Sequence, residues 1–333
     1  MDSKVLIIAE AGVNHNGSFD LALKLIDEAK KAGANAVKFQ TAIPELVMTN
    51  SAKMAKYQIE NTGKKISQLE MSKKIHLPLS DYKKLKKYCD SKKIMFLSTP
   101  FDHTSIEELN NLDMEYFKIP SGEITNLPYL THVSKVANKI ILSTGMSNMK
   151  EVEAALKILY KNEVKKNDII LLHVTTDYPT KMSDVNLKAM ISMKNKFGIE
   201  VGYSDHTQGI EIPIAAVALG AICIEKHFTL DRNLDGPDHK ASLEPKELQS
   251  MVKAIRNIEI ALGDGKKQPA KGEVQNINIA RRSIVAKKRI KKGDILNEDN
   301  LIVKRPGNGI NPMNWYKILG SVAKKNYEED DLI

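Results

Sequence analysis

The amino-acid sequence predicts an α/β protein: a (β/α)8 barrel over residues 1–265, a linker at 266–279 and a small separate domain at 280–333. Three observations carry that reading. Short apolar, β-rich runs recur eight times, amphipathic stretches separate them, and the texture of the chain changes near Gly263. Strands that alternate with helices pair in parallel, and eight of them close a barrel.

In chain order the runs are "VLIIAEAG" (5–12), "AVKFQ" (36–40), "IMFLSTP" (94–100), "YFKIP" (116–120), "IILSTG" (140–145), "IILLHVT" (169–175), "VGYSDHT" (201–207) and "ICIEKHFT" (222–229). Helix-like stretches at 18–32, 81–92, 149–162 and 244–262 lie between or after them. In the first of these, Leu21, Leu23, Leu25, Ile26 and Ala29 are read as one face, and Gly33 supplies a stop. Residues 41–80 form a longer insertion, read as a loop with a helix near Ser51–Ile59. No G-x-G-x-x-G follows the first run, which tells against an open dinucleotide-binding sheet. "GDGKKQPAKGEVQN" (263–276) is polar and bears Gly and Pro, as linkers do. Beyond it, short strand-like pieces divided by Gly, Asn and Asp describe the small domain.

Composition narrows the function class. The chain has 333 residues, 42% of them hydrophobic and 27% charged, enough for a sizeable core. The longest apolar run, Ile212–Ile224, contains Pro213 and Gly220 and falls short of the roughly 18 residues a membrane helix needs. "MDSKVLIIAEAG" is a poor secretory signal, and Cys89 and Cys223 form no C-x-x-C pair, so a cytoplasmic setting is expected. The net charge of +9 comes from scattered lysine pairs, while aromatics are only 5% and no basic segment interleaves them. Nucleic-acid binding is therefore not expected; an anionic small substrate is.

Catalytic groups of such barrels sit at the C-terminal ends of the strands. Here those ends carry Glu10 with Asn14 and His15; Lys38 and Gln40; Ser98 and Thr99; Lys118 and Ser121. The later ends carry Ser143 and Thr144; His173, Thr175 and Thr176; Ser204, Asp205 and His206; Glu225 and His227. Each has an ordinary reading: lysines as solvated tips, Ser-Thr doublets as helix caps, histidines as satisfied polar residues. Together, hydroxyls and lysines converging on one mouth make a phosphate or carboxylate site. His206 and His227 end adjacent strands, so their rings can meet around one ion and leave positions open for substrate and water. His76, His103 and His132 lack such a context, and His239 follows a Gly-Pro-Asp turn as a supporting residue.

"EAGVNHNG" (10–17), "VKFQT" (37–41), "FLSTPFD" (96–102), "FKIPSGE" (117–123), "LSTGM" (142–146), "YSDHT" (203–207), "IEKHFTLD" (224–231), "GPDH" (236–239) and "VKRPGNG" (303–309) together resemble the sialic acid (N-acetylneuraminate) synthase family of bacterial nonulosonic acid synthases. The resemblance spans the chain in order. It implies a TIM barrel joined to an antifreeze-like (SAF-type) domain, a swapped homodimer, and condensation of phosphoenolpyruvate with an N-acylated aminohexose. Lys38, Thr99, Lys118, Ser121, Ser143 and Ser204 are implied to hold phosphoenolpyruvate. His206 and His227 are implied to bind Mn²⁺ or Mg²⁺, which polarises the sugar aldehyde. Glu10 is implied to handle a proton, the alternative being that it orients Lys38. Gln40, Phe101, Glu123, Thr176, Tyr178 and Asp238 are implied sugar-side contacts, with Arg281 and Arg305 from the small domain, Arg305 reaching across from a partner subunit.

Arg281 stands where some members carry an aromatic residue and Thr176 where some carry Asn, which bears on the sugar. The preferred expectation is N-acetylmannosamine, giving sialic acid; the alternative is the 2,4-diacetamido-6-deoxy analogue, giving legionaminic acid. The first strand does not match the pseudaminic acid branch. Two rival classes remain: an aldolase with a Schiff base on Lys118 or Lys38, and a sugar- or ice-binding protein resting on the small domain alone.

Overall fold

The computed structural model describes residues 4–63 and 65–333; Met1 to Ser3, from the stretch read as a poor secretory signal, and Lys64 lie outside the described residues. The chain forms two compact units, one up to Gly263 and one from Asp264 to Ile333.

All eight predicted strands form in the first unit: β1 (Leu6–Gly12), β2 (Ala36–Thr41), β3 (Met95–Pro100), β4 (Phe117–Ile119), β5 (Ile140–Ser143), β6 (Ile169–Val174), β7 (Glu200–Asp205) and β8 (Cys223–His227). They pair in the order β3-β2-β1-β8-β7-β6-β5-β4, every pairing parallel. β3 and β4 lie side by side and bring the two edges together into a near-closed barrel.

Side chains alternate across each strand with a period of two, and the sequence uses that alternation to build two layers inside the barrel. Ile8, Ala36, Leu97, Ile141, Ile170, Leu172 and Cys223 form a closed apolar cluster at the lower level. Gly202 belongs to that level, where an added Cβ would lie 2.3 Å from the Cys223 carbonyl oxygen and 2.7 Å from Leu172. Two residues further along, Glu10, Lys38, Thr99, Ser143, Ser204 and Glu225 take the inward positions of their strands, while β6 keeps the apolar Val174 there. The other parity, including Ile7, Val37, Phe96, Phe117, Ile140, Leu171, Val201 and Ile224, packs outward against the helices in the large core.

The helix Phe19–Ala32 shows why the outer layer forms. Ser18 caps its start by accepting from the Leu21 amide, and Gly33 ends it at φ 86°. Its buried face is Ala22, Leu25, Ile26, Ala29 and Ala32, so Leu21 and Leu23, read from sequence as part of that face, sit at its margins. Burying a side chain such as Leu25 contributes roughly 1.5–3 kcal/mol. The insertion after β2 holds three short helices, Pro44–Val47, Lys56–Thr62 and Gln68–Ile75, rather than one near Ser51–Ile59. Two of these are signalled only by weak caps: Pro at the start of the first, and Ser67 accepting from Glu70 at the last.

In the second unit, β9 (Ser283–Ala286) pairs antiparallel with β10 (Leu301–Lys304). Isolated bridges such as Val285 to Leu332 and Ile290 to Tyr327 tie the remaining loops to them. Ile284, Ala286, Ile290, Leu296, Leu301, Ala323 and Tyr327 make its small core. Within the stretch read as a linker, residues from Lys271 onward are helical as far as Ala280.

Candidate active site

The upper inward layer of the barrel is an array of charges with almost no solvent contact. Lys38 Nζ lies 2.8 Å from Glu10 Oε2, donates to Thr99 Oγ1 at 2.8 Å, and sits 3.6 Å from Glu225 Oε2. Lys118 Nζ donates to Ser143 Oγ at 2.7 Å and lies 3.8 Å from Glu225 Oε1. Ser204 donates to the same Glu225 oxygen at 2.8 Å. Parity explains the convergence: Glu10 faces Lys38 and His227 across the ladders, and Ser204 faces Glu225.

Burial acts differently on the two acids. It raises the Glu10 carboxyl, and Lys38 offsets only part of that rise. Burial also opposes ionisation of Glu225, but Lys118, Lys38 and the Ser204 hydroxyl outweigh it and hold that carboxyl low. Of the two lysines, Lys118 is depressed by burial, whereas Lys38, with Glu10 and Glu225 beside it, stays above its ordinary range. Two ammonium groups and three hydroxyls thus line one chamber, a chemistry suited to a doubly anionic ligand. Glu225, which the sequence places at this strand end without a role, is the hub that joins both lysines.

Above the charges lie His206 and His227, with ring centroids 5.4 Å apart. Tyr178 packs on both, 4.0 Å from His206 and edge-on to His227 at 5.7 Å. A cavity of about 220 Å³ opens beside them. It is lined by Gln40, Phe101, Tyr178, His227 and Asp238, all expected from sequence. Burial pushes the Asp238 carboxyl up to about 6. The insertion supplies lining residues that sequence reasoning missed: Met48, Gln58, Met71 and His76, with Tyr57 stacked on Tyr178 at 5.0 Å. No pattern in that segment marks them, because short helices without a sustained period set their direction.

Ser121 and Thr176 gather at Gly145, whose amide donates to Ser121 Oγ at 3.0 Å. An added Cβ there would lie 2.3 Å from Thr176 Oγ1 and 2.8 Å from Ser121 Oγ, so only glycine lets the three come together. Glu123 follows in the same 3₁₀ turn and accepts from Asn126 at 2.6 Å. Arg281 and Arg305 belong to the second unit, both exposed, with Arg305 Nε donating to the Ala280 carbonyl at 3.1 Å.

Other strand-end residues point away from the chamber. Ser98 bonds Thr41 at 2.7 Å, and Thr144 donates to the Leu172 carbonyl at 2.9 Å. His173 shares the outward parity of Ile169 and Leu171; its Nε2 donates to the Val185 carbonyl at 2.9 Å and its ring meets Tyr203 edge-on. His239 bonds Thr229 through Nδ1 at 2.7 Å, the supporting part expected of it.

The donor set suits a divalent cation. His206 Nδ1 donates to the Thr175 carbonyl at 2.7 Å, which leaves the Nε2 lone pair free. His227 keeps Nδ1 buried without a protein partner. Burial lowers His206 to about 4 and, helped by His206 and Lys38, sends His227 well below its ordinary value, so both rings are neutral near pH 7, the state in which an imidazole can ligate a metal. Among the described residues no group of three His, Cys, Asp or Glu side chains gathers for a metal, so two imidazoles would leave the remaining positions to oxygen from substrate or water. No helix among them is long and apolar enough to cross a membrane.

Known proteins fit this geometry. Residues 25–267 match the NeuB family and residues 281–333 match the SAF domain. The chain is 56% identical over 330 residues to the N,N'-diacetyllegionaminic acid synthase of Campylobacter jejuni, covering 99% of each. It is 44% identical over 323 residues to the enzyme of that name from Legionella pneumophila, covering 96% of this chain and 90% of the relative. Among solved structures, the N-acetylneuraminic acid (sialic acid) synthetase of Leptospira borgpetersenii, crystallised with citrate, superposes with a TM-score of 0.71 at 38% identity, covering 83% of this chain and 90% of that one. Barrel, small domain and strand-end chemistry agree with these likenesses, and the chain belongs to the NeuB family of phosphoenolpyruvate-dependent nonulosonic acid synthases.

Proposed function

We propose that the chain condenses phosphoenolpyruvate with 2,4-diacetamido-2,4,6-trideoxymannose and water, giving N,N'-diacetyllegionaminic acid and inorganic phosphate. The observation that carries this reading is the 56% identity along nearly the whole chain to a legionaminic acid synthase, against 38% to a sialic acid synthetase. The sequence expectation in favour of N-acetylmannosamine yields to its alternative on that ground. Arg281 and Thr176 alone do not separate the two sugars, because one carbon-4 substituent is worth only a few kcal/mol.

In this reading Lys38 and Lys118, with Thr99, Ser121, Ser143 and Ser204, hold the carboxylate and phosphate of phosphoenolpyruvate over the apolar floor. Burial strengthens each charge-assisted bond by excluding water. Gln40, Phe101, Glu123, Thr176, Tyr178 and Asp238 present the aminohexose beside it. Carbon 3 of the enol phosphate bonds to the aldehyde carbon, whose oxygen takes a proton. Carbon 2, left with cationic character, receives water, and the tetrahedral carbon expels phosphate by C–O cleavage as the ketone forms. Glu10 takes and returns the proton of water or hydroxyl in this reading, which its neighbours Lys38 and, at 3.3 Å, the Gln40 amide support. His206 and His227 would hold Mn²⁺ or Mg²⁺, which when bound supplies Lewis-acid polarisation at the sugar carbonyl. A swapped homodimer, in which a second copy supplies Arg281 and Arg305 to the sugar, belongs to the same proposal.

Phosphate release with phosphoenolpyruvate plus each sugar tests the assignment. A kcat/KM for the diacetamido sugar about tenfold or more above that for N-acetylmannosamine is expected, matching one discriminated substituent. Equal or better use of N-acetylmannosamine would overturn it. A pyruvate adduct trapped by borohydride on Lys38 or Lys118 would instead support the aldolase reading. Mixing Arg305→Ala with His227→Ala chains should restore part of the activity if one chain completes the other's site.

A further inference from the structure

We propose that the buried ion pair of Asp205 and Lys226, closed by Thr207, is the device that positions the two imidazoles of the site. The inference rests on the reading of His206 and His227 as cation ligands.

Asp205 and Lys226 face each other across β7 and β8, each one residue before a histidine. Their parity is opposite to that of Ser204 and Glu225, so their side chains leave the strands toward the helical layer rather than the chamber. Neither has any solvent exposure, nor has Thr207. Lys226 Nζ donates to Asp205 Oδ2 at 2.5 Å and to the Thr207 carbonyl at 2.5 Å. Asp205 accepts the Thr207 amide through Oδ1 and the Thr207 hydroxyl through Oδ2, both at 3.0 Å.

These bonds form a loop around His206. Asp205 reaches over it to Thr207, and Lys226 pulls the Thr207 carbonyl to the neighbouring strand. On its other side His206 accepts the Thr180 amide at 2.9 Å and donates to the Thr175 carbonyl. The turn therefore has one course, and the His206 ring has one direction. Because Lys226 is bonded to His227 through the chain, the same contacts fix the spacing between the two rings. Stability does not require the arrangement. A buried ion pair desolvates both charges, and replacing it by apolar residues of similar volume is often neutral or stabilising. What such a replacement loses is direction, which a metal ligand needs: outer partners of ligating histidines typically change metal affinity by about 10–100-fold.

The test uses the full chain, stripped of metal, with Mn²⁺ added back and free Mn²⁺ read by electron paramagnetic resonance. The double variant Asp205→Leu/Lys226→Met, which removes both charges together, should stay folded, melting lower only by what Thr207 loses with its partners, yet bind Mn²⁺ about 10–100-fold more weakly. In the metal-free protein it should also lose the downfield Nδ1 proton that His206 donates to Thr175, a signal that loss of packing elsewhere does not move. His206→Ala is the control. If His206→Ala abolishes Mn²⁺ binding while the double variant binds as wild type with its proton signal in place, the positioning role is overturned and the ligand reading stands. If His206→Ala also binds Mn²⁺ as wild type, both fall. Should the double variant not fold, Thr207→Val decides, since it deletes only the hydroxyl bond to Asp205: weaker Mn²⁺ binding supports the role and unchanged binding overturns it.

Discussion

Two polar pairs stand back to back on β7 and β8, Ser204 with Glu225 on the barrel axis and Asp205 with Lys226 behind the wall. They share strands, register and depth, and they differ in how much valence they leave unused. The outer pair is closed: the lysine has two partners, and the carboxylate takes the lysine, an amide and a hydroxyl. The inner pair is open: Glu225 Oε2 has no hydrogen-bond partner, and the nearest ammonium, that of Lys38, stands 3.6 Å away. An unfilled buried acceptor costs about 1–3 kcal/mol, a cost that a ligand bound at this mouth would remove. Open valence marks the face that meets substrate; closed valence marks the face that holds it in place.

The sharpest way to break this comparison is to remove an imidazole from the open side. His206→Ala or His227→Ala should lower kcat by about three orders of magnitude or more, since a lost Lewis acid withdraws several kcal/mol of transition-state stabilisation. The melting temperature should hold, because neither ring is part of the apolar core. Chelation of the wild-type enzyme should reproduce the loss and Mn²⁺ should reverse it. Near-normal turnover by both variants in metal-stripped buffer would remove the cation from the site.

Lys118 gives a smaller and more selective effect. Lys118→Ala should raise the apparent KM for phosphoenolpyruvate about ten- to a hundredfold, the worth of a hydrogen bond to a charged group, and leave the sugar KM near wild type. An equal change in both constants would take Lys118 out of the anion site. Smaller still is the contrast between two buried serines of opposite parity. Ser204→Ala deletes an inward hydroxyl and should reduce kcat/KM about fivefold, corresponding to about 1 kcal/mol. Ser98→Ala deletes an outward one, bonded to Thr41. It should cost about 1 kcal/mol of stability and leave turnover unchanged. Kinetic loss in the Ser98 variant would blur the division between faces.

That division was half legible in the sequence. Strand ends rich in Lys, Ser and His identify the mouth because eight parallel strands place all their C-termini on one side. Parity within each end was not read, and it decides the outcome: Thr99 faces in and Ser98 out, Ser143 in and Thr144 out, and His173 turns away from the chamber while His227 faces it. The first helix shows the same limit at period 3.6, where Leu21 and Leu23 are apolar yet marginal and Ala22 is buried. Met48, Gln58, Met71 and His76 were beyond reach for another reason. Their directions depend on short helices docked over the mouth, and such elements take their order from tertiary packing rather than from local propensity.

His15 is a polar residue of neither kind, and it yields the gentlest prediction. Its Nδ1 accepts the Gly17 amide at 3.1 Å, its Nε2 is buried without a partner, and Phe39 packs against the ring at 6.0 Å. Burial, aided by His76, lowers its pKa to about 4. The unfolded chain protonates this ring near its ordinary 6.5, whereas the folded chain resists until about pH 4. Between those values the unfolded state binds more protons, so stability falls as the pH drops from 6.5 towards 4 and this contribution is flat outside that window. Across the window His15 accounts for about 3 kcal/mol of lost stability. His15→Asn keeps an acceptor for the Gly17 amide and removes the titration. Urea unfolding at intervals from pH 7.5 to 4.5 should show a steeper fall for wild type than for the variant, with the two curves converging toward acid. Parallel curves would mean that His15 is protonated equally easily in both states, and that burial does not set the charge of its ring.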